Sequence, residues 1–220
     1  MRTITRQSLD DSPDLFGKLA DVLHDGGLVC FPVGRHYTIA ASLMDEGAVI
    51  RAVQTKRRAR RAPSLVFVPD REALGEVVEE VSDRAAALMD AFWPGPLTIL
   101  FRPGAALPRK VTRTLAAGKK ARLGIRITHE PLARQLVDAF GGPLLITSAN
   151  VSKKVGSSSL AQVRKNFARA IDVMIEAGDV GSDQPSTVVD PESTERPIVR
   201  EGAVPADRVL ALLTGDRGEV

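Results

Sequence analysis

At 220 residues the chain is long enough for one well-cored domain and leaves little room for a second. Apolar residues make up 44% and charged residues 26%, which excludes a disordered chain, and no apolar run has the length of a membrane span or signal peptide. The single cysteine, Cys30, excludes an internal disulfide and fits a reducing cytoplasmic setting, while the net charge of +3 is mild.

Taken in chain order, Ser12-Pro13 reads as a helix start, and Leu15, Phe16, Leu19, Val22 and Leu23 keep helical spacing until Gly26-Gly27. Leu28–Phe31 is a short apolar strand, which makes Cys30 a core thiol and not a nucleophile. Thr38–Met44 is expected to pair with it, and Asp45 caps a helix that runs to about Thr55. Leu65–Val68 is the next strand. Ala85, Leu88, Met89 and Phe92 form a helical stripe stopped by Pro94-Gly95. Leu97–Phe101 and Leu123–Ile127 are strands, and Leu132, Leu136, Val137 and Phe140 form a helix closed by Gly141-Gly142. Leu144–Thr147 is a buried strand, and Ser159 caps a helix carrying Leu160, Val163 and Phe167. Ile171–Ile175, Thr187–Val189 and Pro197–Val199 are late strands, with a short helix after Pro205. This alternation predicts an α/β fold with a mixed sheet. The expected organisation is a lead-in over 1–14, one domain over 15–204, and a terminal helix and tail over 205–220.

The charge is unevenly spread. No acid lies between Glu46 and Asp70, where Arg51, Lys56, Arg57, Arg58, Arg60 and Arg61 fall. None lies between Asp90 and Glu130, where Arg102, Arg109, Lys110, Arg113, Lys119, Lys120, Arg122 and Arg126 fall. If these segments converge they make a positive basin for nucleotide phosphates or RNA; otherwise they are a solvated basic face.

Several strands run directly into polar chemistry. Thr147-Ser148-Ala149-Asn150 puts a hydroxyl and a carboxamide at a strand mouth, where open α/β sheets hold ligands, although Ser and Asn also suit an ordinary turn. Lys56 and Arg58, two apart, share one face of an extended segment and can hold neighbouring oxyanions, or lie in a solvent-facing loop. Ser186 and Arg200 stand at two further such transitions. His24, His36 and His129 have no metal-ligand spacing, so no structural metal is expected.

Taken together, Gly26–Pro32 with Tyr37, Lys56-x-Arg58, the segment Phe92-Trp-Pro-Gly-Pro-Leu-Thr98, Gly124-Ile-Arg126, Ser148-Ala-Asn150, Pro185–Asp190 and Val199-Arg-x-Gly202 resemble the YrdC/YciO family. The resemblance covers about residues 15 to 204 in the family's order. It implies a twisted open sheet around a positively charged cavity. It also implies synthesis of threonylcarbamoyl-AMP and pyrophosphate from ATP with Mg²⁺, bicarbonate and L-threonine, for tRNA adenosine modification with partner proteins. By resemblance, Lys56 and Arg58 are catalytic, neutralising triphosphate or carbonate oxygens. Arg126, Ser148, Asn150, Ser186 and Arg200 line the nucleotide pocket, each cation contributing about 2–4 kcal/mol to the transition state.

Several positions depart from that pattern, among them Ala59, Ala62-Pro63-Ser64, Glu130 and Lys153-Lys154, and one region departs most. Where the family reads Pro-Thr-(Asp/Glu)-Thr-Val-Tyr-Gly-Leu, this chain has Val33, Gly34, Arg35, His36, Tyr37 and Thr38 after Pro32. Val33 and Arg35 replace two threonine hydroxyls at the amino-acid end of the family's cavity, where Tyr37 is also expected. The guanidinium there fills substrate space or binds a different anion. The alternative function is therefore a YciO-like paralogue with an altered threonine site that binds nucleotide, duplex RNA or both.

Overall fold

Residues 1–55, 64–116, 121–150, 158–181 and 184–214 are described in the computed structural model of the chain. The elements are β1 (Arg2–Thr5), α1 (Arg6–Asp11), α2 (Leu15–His24), β2 (Val29–Val33), β3 (His36–Ser42), α3 (Glu46–Thr55), β4 (Ser64–Phe67) and α4 (Leu74–Val77). They continue with α5 (Asp83–Phe92), β5 (Leu97–Phe101), α6 (Arg109–Leu115), β6 (Leu123–Arg126), α7 (Pro131–Phe140) and β7 (Leu144–Ser148). The last are α8 (Leu160–Phe167), β8 (Val173–Glu176), β9 (Thr187–Val189), β10 (Ile198–Arg200) and α9 (Ala206–Thr214).

Local chemistry explains most boundaries. The Ala48 N–H donates to Asp45 Oδ1 at 2.8 Å, so Asp45 caps α3 as its position suggests. Ser82 accepts from the Ala85 N–H and starts α5. Two expected caps differ. Ser12 ends α1, which Thr5 opens by accepting the Ser8 N–H at 3.1 Å, and α2 begins only after Asp14. Ser159 makes no cap bond from its side chain; Asp179 Oδ1 accepts the Leu160 N–H at 2.9 Å instead, because the fold brings a carboxylate to that helix end.

Among the described residues the strands form one 10-stranded mixed sheet in the order β1-β8-β2-β3-β7-β4-β6-β5-β9-β10. Strand β1 pairs in parallel with β8, so residues expected as a lead-in belong to the sheet. Helix α9 contributes Val209 to the main core, and Arg208 stacks over the Phe92 ring of α5.

Period-two alternation gives the sheet two faces of different character. On one, Tyr37, Ile39, Val66, Ile99, Ile125 and Leu145 meet Val49 of α3, Leu88 of α5, Val111 of α6 and Phe167 of α8 in one continuous core. On the other, Phe31, Ala40, Phe67, Leu144 and Ile146 are covered by Leu9 of α1, Leu19 and Leu23 of α2, and Leu136 and Phe140 of α7. That cover reaches only part of the face. Beyond it, among the described residues, the same face lines a cavity and its side chains change from apolar to polar.

Candidate active site

The uncovered part of the sheet is the floor of a cavity of about 640 Å³, within the range of small-molecule sites. Register places its polar groups. Thr38 on β3 stands opposite Ser148 on β7, Phe67 on β4 opposite Arg126 on β6, Leu65 opposite Gly124, and Thr98 on β5 opposite Val188 on β9. All eight line the cavity, so four pairings gather residues that are far apart in sequence.

Arg126 is the most buried cation among the described residues, only 6% exposed. Its Nε donates to the Gly95 carbonyl at 2.8 Å, its guanidinium lies 5.6 Å from the centre of the Phe67 ring, and its terminal nitrogen contacts His129 Nδ1 at 3.3 Å. Burial lowers its pKa to about 10, with the nearby Glu130 acting in the opposite direction. A desolvated cation held by a carbonyl and a ring is a prepared anion receptor.

The Trp93–Pro96 segment builds this receptor without joining it by side chain, apart from Pro96. The Trp93 indole donates to the Leu97 carbonyl at 2.7 Å, and the Gly95 N–H donates to the Ile127 carbonyl at 3.0 Å. A Cβ on Gly95 would sit 2.1 Å from the Phe92 carbonyl oxygen, so only glycine allows this tight return toward Arg126.

A second polar group closes the far wall. Arg200 donates to the Ser186 carbonyl through Nε at 3.2 Å and through a terminal nitrogen at 2.8 Å, and Ser186 Oγ lies 3.0 Å from Thr98 Oγ1. Burial lowers the Arg200 pKa, and the charge on Arg35 lowers it further. Thr187 points the other way, its hydroxyl accepting the Gly202 and Val204 N–H groups, so the Ser186-Thr187 pair divides into one cavity residue and one structural residue. On β7, Ser148 donates to Asn150 Oδ1 at 3.0 Å, fixing the carboxamide beside the strand mouth.

The structure gathers Val33, Arg35, Arg126, Ser148, Asn150, Ser186 and Arg200 into this one cavity. Tyr37 does not join them. Alternation along β3 turns it to the opposite face, where it is fully buried, donates to the Gly178 carbonyl at 2.7 Å and accepts the Ala177 N–H at 3.0 Å. Its role is to pin β3 to the chain after β8, and burial raises its pKa. Lys56 and Arg58 lie outside the described residues.

Sequence reasoning missed Thr38, Thr98, His36, His129 and Glu130, all of which line the cavity. Thr98 sits inside a recognised motif, but only pairing shows which face it takes. The basic segments also prove less uniform than their composition suggests. Arg51 pairs with Asp172, Arg102 with Glu79, Lys110 with Glu46 and Arg122 with Asp190, each acid arriving from a distant stretch of chain. Among their described members only Arg126 lines the cavity.

The Sua5/YciO/YrdC family model, described as telomere recombination, matches residues 21–202. The chain is 28% identical over 190 residues to threonylcarbamoyl-AMP synthase of Pyrococcus abyssi, covering 86% of this chain and 54% of that protein. It therefore spans about half the length of that relative. It is 29% identical over 171 residues to threonylcarbamoyl-AMP synthase of Halorhodospira halophila, covering 78% of this chain and 87% of that protein. The crystal structure of P. abyssi Sua5 complexed with L-threonine matches with a TM-score of 0.79 at 27% identity, covering 100% of this chain and 61% of that one. Escherichia coli YciO shares the fold, with a TM-score of 0.76 at 22% identity over 93% of this chain and 96% of that one.

Proposed function

The chain belongs to the Sua5/YciO/YrdC family, and on that premise we propose that it joins ATP, bicarbonate and an amino acid into a carbamoyl adenylate of the threonylcarbamoyl-AMP type, releasing pyrophosphate. The observation that carries this reading is the convergence of Arg35, Arg126 and Arg200 with the hydroxyl and amide groups of Ser148, Asn150 and Ser186 around one cavity. Glu130 is the one acid among the described lining residues, so that lining is cationic overall.

In this reaction the amino acid's nitrogen and bicarbonate condense with loss of water to a carbamate. A carbamate oxygen then attacks the α-phosphorus, the bond to the β-phosphate oxygen breaks, and pyrophosphate leaves. Negative charge shifts onto phosphate oxygens, so fixed donors in a partly dry cavity supply the main acceleration. Arg126 would face the phosphate at which charge builds, with Ser148 and Asn150 orienting the nucleotide. Arg200, braced on Ser186, would hold the far wall. Lys56 and Arg58 would supply the cations for triphosphate or carbonate oxygens. ATP would enter as its Mg²⁺ complex. Among the described residues no group of three His, Cys, Asp or Glu is placed to hold a metal ion.

The adenylate would serve tRNA adenosine modification in the cytoplasm, passed to partner proteins. Incubation with ATP, bicarbonate and L-threonine or another amino acid tests the reaction, with pyrophosphate release and the adenylate mass as readouts. Absence of turnover with every amino acid, together with undiminished ATP binding, would favour the paralogue that holds nucleotide or duplex RNA without catalysis. RNA contact of that kind weakens steeply with added salt.

A further inference from the structure

Two of the cations that line the cavity, Arg35 and Arg200, come from separate elements. Strands β2 and β3 pair Val33 with His36, and the two-residue turn between them carries Arg35 at its tip, with Gly34 at a φ of 52°. Arg35 lines the cavity from this turn, and Arg200 lines it from β10. Burial and, after it, the charge on Arg35 lower the Arg200 pKa. The acid among the described lining residues, Glu130, acts on Arg126 instead. Two like charges lining one cavity are unfavourable until an anion enters it.

The donor geometry narrows that anion. Arg35 spends its Nε on His36 Nε2 at 3.2 Å, so its two terminal nitrogens have no partner among the described residues. That free edge presents two parallel N–H donors, matched to the two oxygens of a carboxylate. Arg200 is clamped by Ser186 and so holds its charge in a fixed place. Val33 also lines the cavity, and its side chain has nothing to offer a substrate hydroxyl.

We propose that Arg35 and Arg200 form a carboxylate subsite, and that the amine-bearing co-substrate of this chain is a dicarboxylic amino acid in place of threonine. The identity of the amine rests on the adenylate-forming reading; the subsite itself does not. An aspartate or glutamate side chain would meet Arg35 at the rim while its amino group points inward to the nucleotide.

Titration calorimetry of the full chain with L-aspartate, L-glutamate and L-threonine, each in the presence of ATP without bicarbonate, tests this. One of the two acidic amino acids should bind about tenfold or more tightly than threonine. Arg35→Gln should erase that preference, weakening the acidic ligand about tenfold while moving threonine less than about threefold. Arg200→Gln should act in the same direction, and serves if the first variant fails to fold. Threonine binding as tightly as both acids, equal weakening of all three ligands, or inorganic phosphate outcompeting the acidic amino acids would each overturn the subsite. Acid binding that stays selective while no amino acid yields pyrophosphate would retire the adenylate reading and leave the subsite standing. Preferred turnover of threonine would do the reverse.

Discussion

The same sheet face behaves in two ways. Under α1, α2 and α7 it carries Phe31, Ala40, Leu144 and Ile146, all buried and all apolar. Where it lines the cavity, farther along β7 and on β5 and β6, it carries Ser148, Thr98, Gly124 and Arg126. The backbone is equally regular in both halves, so the contrast comes from what lies on top. Where helices cover the face, each buried aliphatic side chain contributes about 1.5–3 kcal/mol and polar groups would be stranded. Where cover stops, the sheet's rigidity is kept and its polar groups point into space that a charged ligand can enter. Stability and chemistry are thus separated laterally on one surface, and the opposite face supplies the larger core.

This division is open to direct attack. The largest effect is expected in the covered half: Leu136→Ala, at a fully buried site, should destabilise the fold by about 2–5 kcal/mol in urea unfolding while leaving nucleotide affinity of the folded protein unchanged. Altered affinity there would show that the halves are not independent. In the bare half, Arg126→Ala should lower kcat/KM for pyrophosphate release by about 10²–10³-fold, without a fall in Tm comparable to the core variant. Gly95→Ala sharpens the link between loop and receptor. The added methyl collides with the Phe92 carbonyl, so a loss of about 1–3 kcal/mol is expected. Nucleotide affinity should fall with it, because the carbonyl holding Arg126 shifts. An affinity equal to wild type in that variant would mean Arg126 does not depend on the loop.

The smallest effects separate a wall residue from a plain cap. Ser186→Ala removes the hydroxyl between Thr98 and Arg200 and should weaken nucleotide binding by about five- to tenfold in calorimetry. Ser82→Ala removes the cap of α5 and should cost about 1 kcal/mol of stability with no change at the cavity.

Much of this was legible beforehand, for reasons that differ by residue. Arg126, Ser148, Ser186 and Arg200 each stand where an apolar run meets polar residues, a local signal that survives without knowledge of the fold. Tyr37 was misplaced because its motif marks a neighbourhood, and a neighbourhood contains both faces of a strand. Thr38, one position on, faces the cavity that Tyr37 turns away from. Strand β1 escaped notice because Arg2–Thr5 is mostly exposed and polar, and its place is set by pairing with β8 far along the chain.

The sequence by itself therefore determined the α/β class, the bounds of most elements and the polar residues at strand mouths, since hydrophobic period, caps and breakers act over a few residues. Tertiary structure alone decided which strands adjoin, which face each side chain takes and where the helical cover ends. It also decided that Glu46, Glu79, Asp172 and Asp190 would neutralise cations from stretches without acids of their own. Charge and register act between groups close in space, and closeness in space across a hundred residues is not encoded at any one position.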